Sequence, residues 1–296
     1  MCGIVGIYLK KKNLYKKLGN YLSGMLDNMS SRGPDSAGFA IYNKNNSSRV
    51  YKYSVCLPSE FDVKKFEISV NNEFKDILTK EVSDHLVIST KTNPKIFLSF
   101  LYDNYKELKI IGYGKSIEIF KQVGNPKDIV KKFKLSKLHG SHAIGHTRMA
   151  TESAITLDGS HPYSTGEDEC LVHNGSLSNH NNLRRKLIKK GKKFDSFNDT
   201  EVAAGYISNQ LSKTKSMKKT LKKCLSNLDG FYTFIAGTKN GFAVLRDEIA
   251  CKPAVIAETK DYVAVASEFQ AMAHLPDVNK AKIFEPEPGV VYTWGN

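Results

Sequence analysis

Met1-Cys2-Gly3-Ile4-Val5-Gly6-Ile7-Tyr8 opens the chain. The run from Gly3 to Tyr8 is short and β-rich, and Lys10-Lys11-Lys12 closes it. It reads as a buried strand that begins at the N-terminus. A thiol, that of Cys2, then stands at the strand's mouth. Next, residues 15–29 place Leu18, Leu22, Met25, Leu26 and Met29 at helical spacing. Ser31-Arg32-Gly33-Pro34-Asp35-Ser36-Ala37-Gly38 reads as a turn-rich loop, and residues 39–42 as the strand after it.

Residues 50–138 are the least legible. Short β-like runs at 86–88, 96–101, 110–113 and 117–120 alternate with Lys/Asn/Glu-rich segments. Residues 125–133 predict a helix entered through Pro126. From 140 onward the signals are dense. Residues 142–148 predict a strand running into a loop, and residues 169–173 a strand that breaks at Asn174-Gly175. Leu183, Leu187 and Ile188 mark a helix ending at Gly191. Asn198 is a candidate N-cap with Glu201 three residues on, as in a capping box. The helix behind it is expected to bury Val202, Tyr206, Ile207 and Leu211. The tail predicts strands at 231–236, 242–245, 254–257, 262–266 and 290–294, with hairpin turns at 239–241 and 258–261. Many strands with interleaved helices point to face-to-face sheets covered by helices.

Composition narrows the class. The chain has 296 residues, 41% hydrophobic and 25% charged, which excludes collagenous, disordered and disulfide-dense chains. The net charge of +14 is spread over the whole length and accompanied by frequent Asn. That pattern reads as solvated faces or a basic docking surface. No recognition motif accompanies the charge, so nucleic acid is not an expected partner. Five cysteines without a CxxC predict neither disulfides nor a metal site. No apolar run is long enough to span a membrane, and the N-terminus reverses the order of a secretory signal. The expectation is a cytoplasmic protein without membrane attachment.

A few residues carry possible chemistry. Removal of Met1 would leave an α-amine and a thiol on the same residue, Cys2. An α-amine titrates at about 7.7–8.0, so it can take the thiol proton and later protonate a leaving amine. Read alone, Cys2 is first a small buried hydrophobe on a strand. Asn174-Gly175 offers a side-chain amide and a backbone N–H to a developing oxyanion, or is an ordinary turn. Arg148 at a strand end fits a carboxylate clamp or a surface salt bridge. Asp199 at a helix start fits a counter-charge for an ammonium group, or capping. His161 and His173 read as structural hydrogen-bonding groups.

Order and spacing join these pieces. Residues Met1-Cys2-Gly3-Ile4-Val5-Gly6, the 32–38 loop, Gly145-His146-Thr147-Arg148-Met149-Ala150-Thr151, His161-Pro162, His173-Asn174-Gly175 and Asn198-Asp199-Thr200-Glu201 follow one another in register. The series resembles the class II glutamine amidotransferase domain of the N-terminal-nucleophile hydrolases. The resemblance implies an α+β fold, a four-layer αββα sandwich of two antiparallel sheets. It implies a single domain over 1–296, with an insertion at 50–138. It implies Cys2 as the nucleophile that forms a γ-glutamyl thioester, with Asn174 and Gly175 as the oxyanion hole. By the same resemblance Arg148 holds the glutamine α-carboxylate, Asp199 the α-ammonium, and Arg32 orders the site, with Gly175 also against the substrate.

The long interval from Arg32 to Arg148 and the Met at 149 depart from the sugar-phosphate-aminating members. No isomerase, phosphoribosyl or ATP-pyrophosphatase segment is expected within these residues. The insertion and the tail (264–268 and 284–292) are similar to amidotransferase subunits of split glutamate-synthase-like enzymes, including N-methylglutamate synthase. That similarity implies L-glutamine as substrate and ammonia passed to a separate synthase subunit. The partner would carry FMN, with or without an Fe–S cluster, beside a third subunit like the glutamate synthase C-terminal domain. No cofactor or metal is expected on this chain. Two alternatives stay open: a regulatory glutamine-binding subunit without turnover, and an N-terminal-nucleophile amidase acting on other amides.

Overall fold

In the computed structural model, which describes residues 2–43, 49–150 and 154–295, side-chain alternation decides the layers. Met1 and Thr151 of the quoted motifs lie outside these residues. In β1 (Gly3–Leu9), Val5, Ile7 and Leu9 join the cluster around α1 (Leu18–Asn28), while Ile4 faces the other way. The chain continues through β2 (Ser36–Tyr42), β3 (Tyr51–Cys56), α2 (Val63–Glu73), β4 (Leu78–Val82), β5 (His85–Thr90) and α3 (Pro94–Asn104). It then forms β6 (Lys109–Gly114), β7 (Ile117–Val123), α4 (Pro126–Lys132), β8 (His142–Arg148), β9 (Tyr163–Gly166) and β10 (Glu169–Leu177). Three helices follow, α5 (His180–Ile188), α6 (Asp199–Thr214) and α7 (Met217–Asn227). The tail holds β11 (Gly230–Thr238), β12 (Gly241–Arg246), β13 (Val255–Glu258), β14 (Tyr262–Ala266), β15 (Lys282–Phe284) and β16 (Val291–Trp294).

A seven-stranded sheet has the order β15-β13-β14-β1-β8-β2-β7, and a five-stranded sheet the order β16-β12-β11-β10-β9. All their recorded pairings are antiparallel. Helices α1 and α4 cover the outer face of the first sheet, and α5 to α7 that of the second. Between the sheets lies a third apolar layer with Ile4, Ile144, Val172, Ile235 and Val265. This is the αββα sandwich the sequence leads one to expect. No helix among the described residues is long and apolar enough to cross a membrane. All five cysteines are free thiols.

The segment without motifs has a definite architecture. Residues 51–114 run βαββαβ, and their sheet has the order β4-β5-β3-β6 with antiparallel neighbours. That is a ferredoxin-like topology. It has its own apolar cluster, with Tyr53, Val55, Phe66, Val70, Leu86, Ile88, Phe97 and Leu101. The β-like reading of 96–101 is overturned, because this stretch lies inside α3. Asn93 caps the helix by accepting from Lys95 N–H, Pro94 occupies its first turn, and Phe97 and Leu101 bury one face. Other departures are smaller: strand β2 starts at Ser36, inside the expected loop, and the sequence did not predict α2 or α7.

One carboxylate secures the exit from this inserted unit. Asp168, between β9 and β10, is 2% exposed. Its Oδ1 accepts from the Ser116 N–H at 2.8 Å, the Ser116 hydroxyl at 2.9 Å and the Ile117 N–H at 3.0 Å. Its Oδ2 accepts from the Lys115 N–H at 3.0 Å. Asp168→Ala strands these buried donors, and each donor left unpaired costs about 1–3 kcal/mol. The expected outcome is a clear drop in the urea midpoint of unfolding, and an unchanged midpoint would contradict this role.

Candidate active site

The site begins with strand register. Gly3 pairs with Thr147, so Cys2 lies beside the end of β8, where Arg148 closes the strand. Cys2 is partly buried, and its Sγ lies 3.7 Å from the Met149 carbonyl oxygen. The Arg32 Nε donates to the Cys2 carbonyl at 3.1 Å, and the Arg32 guanidinium pairs with Glu268. Glu268 follows β14, the other neighbour of β1. Asp35 ties the loop to the same strand end. Its N–H donates to the Arg148 carbonyl at 3.0 Å, and its carboxylate accepts from Ala150 N–H at 2.8 Å.

The opposite sheet supplies the second half. Strand β10 does not break at Asn174-Gly175 but runs on to Leu177, paired throughout with β11. Gly175 accommodates the local distortion with φ of +150°. A Cβ there would lie 2.0 Å from the Phe231 carbonyl oxygen, so only glycine fits. Asn174 is 3% exposed, and its Nδ2 has no hydrogen-bond partner. A buried N–H₂ without an acceptor is costly in a resting protein and is what a site built for an incoming oxygen requires.

Helix α6 carries Asp199 in its first turn. Asn198 is the cap, accepting from Thr200 N–H at 2.8 Å. The expected capping box is not formed. Glu201 instead accepts from the Asp195 and Ser196 N–H groups, both at 2.8 Å, and so braces the loop before the helix. Val202, Tyr206 and Ile207 are buried as expected, while Leu211 is only partly covered. The Asp199 carboxylate accepts from the Thr200 hydroxyl of its own helix at 3.3 Å and also reaches outside it. It accepts from Leu177 N–H, at the end of β10, at 2.8 Å.

Three buried histidines join the two sheets. His146 Nε2–H donates to the His173 carbonyl at 3.1 Å. The His146 and His161 rings stack at 3.8 Å. His173 Nδ1 pairs with the Thr200 hydroxyl at 2.9 Å, and His161 Nε2 approaches the same hydroxyl at 3.4 Å. Both histidines therefore act as the structural groups expected of them. Burial drives all three toward the neutral form: His146 falls to about 3, His161 well below its ordinary value, and His173 also falls. His146 on the strand of Arg148, His173 beside Asn174 and Thr200 beside Asp199 are thus linked across the sheets, while Cys2 precedes β1 and Arg32 reaches it from the turn after α1. Sequence reasoning missed Asp35, Thr200 and Glu268. All three stand inside quoted stretches, so their position was a usable signal.

Comparison with known proteins establishes the family. Residues 146–274 match the family model of the glutamine amidotransferase domain. The chain is 48% identical to the glutamine amidotransferase-like protein GlxB of Rhizobium meliloti (strain 1021), over 99% of this chain and 98% of that one. The chain belongs to the glutamine amidotransferase family. This amidotransferase is also 31% identical to the amidophosphoribosyltransferase of Methanocaldococcus jannaschii, over 58% of its own length and 37% of the relative's. In fold it is similar to the glutamine phosphoribosylpyrophosphate amidotransferase of B. subtilis solved with ADP and GMP, at a TM-score of 0.64 and 22% identity. It spans 47% of that chain.

The neutral histidines make the fold sensitive to acid. The unfolded chain binds their protons near the ordinary value of 6.5, and the folded chain does so only at lower pH. Their contribution to stability is therefore present above about pH 6.5 and is lost as pH falls below it. Each such histidine removes about 1.4 kcal/mol per pH unit in that window. Urea unfolding at about pH 7.5 and about pH 5.5 should show a much lower midpoint at the acid end. Equal midpoints would refute neutral burial.

Proposed function

We propose that this amidotransferase hydrolyses L-glutamine at Cys2 and delivers the ammonia to a separate synthase. Once Met1 is removed, the α-amine of Cys2 takes the thiol proton, and the sulfur attacks the carboxamide carbon. The tetrahedral oxyanion is stabilised by Asn174 Nδ2–H and the Gly175 N–H. Collapse expels ammonia, protonated by the α-ammonium, and leaves a γ-glutamyl thioester. Water then releases glutamate by the same route. Arg148 binds the α-carboxylate in a charge-assisted pair, and Asp199 binds the α-ammonium. Arg32, braced by Glu268, holds the Cys2 backbone still. The observation that carries this reading is the unpartnered, buried amide of Asn174 at the end of the sandwich where Cys2 begins.

A partner is supported by the surface around that end. Met149 beside Arg148, Phe197 before Asn198, Phe231 opposite Ser176 and Phe269 after Glu268 are all exposed, Phe197 to 95%. Large exposed apolar side chains, each next to a residue of the site or of its strands, favour a protein interface. We assign the partner to a glutamate-synthase-like assembly: an FMN-bearing synthase chain and a subunit like the glutamate synthase C-terminal domain. The net charge of +14 suits an acidic face on that assembly.

Intact-mass measurement should show loss of Met1. Cys2→Ala should abolish glutamate release and labelling by a glutamine-like diazo-ketone. Asn174→Ala should lower kcat by about 10²–10³-fold. Full turnover by the Cys2 variant would sink the mechanism. Affinity capture should retain a yellow flavoprotein, and its absence from the bound fraction would remove the synthase assignment.

A further inference from the structure

Residues 154–160 lie against the Arg148 guanidinium. Arg148 Nη1 donates to the Ala154 carbonyl at 3.4 Å, and a Cβ on Gly159 would come within 3.3 Å of the same nitrogen. Residues 154–160 are folded on themselves. The Ser160 hydroxyl donates to the Thr156 carbonyl at 2.8 Å, and Gly159 N–H to the Thr156 hydroxyl at 3.1 Å. The Tyr163 hydroxyl donates to the Asp158 carbonyl at 2.8 Å.

Two lysines hold this segment from outside. Lys121 on β7 is 5% exposed, and its Nζ donates to the Ser160 carbonyl at 2.8 Å while lying 4.8 Å from the centre of the Tyr163 ring. Lys109 comes from β6 of the inserted unit. Its Nζ pairs with Asp158 Oδ2 at 2.6 Å. A cleft of about 320 Å³ lies beside this pair, lined among others by Lys106, Lys109, Lys121, Asp158, Tyr163 and Glu201. The Lys109–Asp158 pair links the inserted unit to the segment along the edge of that cleft.

We propose that the inserted βαββαβ unit is an arm of the glutamine site, in which Lys109 acting through Asp158, with Lys121 acting through Ser160, are positioning residues for Arg148. The inference rests on Arg148 being the clamp for the substrate α-carboxylate. That carboxylate is remote from the reacting amide, so the grip on it is equally strong in ground and transition states. Loosening such a grip raises KM and leaves kcat alone. The pair is exposed enough that its contribution to global stability is small, so function and folding can be read apart.

The test is Lys109→Met in the full chain, with L-glutamine as substrate. KM is expected to rise about 3- to 10-fold with kcat within about twofold and an unchanged unfolding midpoint. Lys109→Arg, which keeps the ion pair, should restore KM. Asp158→Asn should match Lys109→Met, and the double variant should be no worse than either single one. Calorimetric titration of L-glutamine into Cys2→Ala, with and without Lys109→Met, should show the same loss of affinity without any turnover. An unchanged KM and affinity, a kcat that falls in step, or additive single effects would overturn the proposal. A parent protein that binds glutamine without hydrolysing it would refute the mechanism under Proposed function and leave the titration as the judge of this one.

Discussion

The register of β1 between β14 and β8 is the constraint on which the site depends. Val5 faces Ala266 on one side and Gly145 on the other, so the strand is locked on both edges. A slip of one residue would turn Ile4 and Val5 to the wrong faces of the sheet, exchanging two buried layers at once. The same register places Cys2 one residue before the pair Gly3–Thr147, level with Arg148. Position of the thiol is therefore decided by apolar burial along seven residues, and no local side-chain contact has to do it. Arg32, Glu268 and Asp35 then refine a location that the sheet has already set.

Across the gap between the sheets the logic changes from apolar to polar. His146, His161, His173 and Thr200 are all buried, and each makes at least one hydrogen bond or ring contact that crosses between elements. Buried polar groups of this kind are tolerated when partnered and costly when not. The balance here is incomplete. Asn174 Nδ2, His146 Nδ1, His161 Nδ1 and His173 Nε2 are left without partners. Such a deficit would be a defect in a purely structural core. At Asn174 the open amide is the donor that the proposed oxyanion contact uses, whereas the three histidines keep the hydrogen bonds that brace the two sheets.

Much of the sandwich was legible because each strand and helix obeys one period. The alternation in β1, the helical spacing of Leu18, Leu22, Met25 and Leu26, and the Asn198 cap are local rules, and tertiary contacts did not override them. The errors came where one local rule has two outcomes. Asn174-Gly175 is a turn signal in isolation, yet here Gly175 lets β10 continue while distorted against β11. The run 96–101 is apolar and short, which periodicity cannot assign to strand or helix. The deciding feature was Asn93-Pro94 just before it, a cap followed by a first-turn proline. Glu201 stood at the capping-box spacing but found two stronger donors in the preceding loop. Motif residues were legible in identity, whereas the bonds that join them, Arg32 to Glu268 and His173 to Thr200, needed the folded chain to be seen.

The lysine excess carries the remaining lesson. Spread along the sequence it reads as solvated faces, and for many side chains that reading is sound. Lys52 and Lys121 are exceptions, being 4% and 5% exposed. Lys52 pairs with Glu118 at 2.6 Å, and Lys121 reaches the Ser160 carbonyl. Both lie where the inserted unit meets β7, the edge strand of the larger sheet, and β6 of that unit lies beside β9, the edge of the smaller one. Open sheet edges attract unwanted pairing unless something covers them. The insertion covers both, and it does so partly through buried charge, which demands defined partners where apolar packing would tolerate many. A unit joined in that way has one seating on the sandwich, and a surface with one seating can transmit its position to the residues it touches.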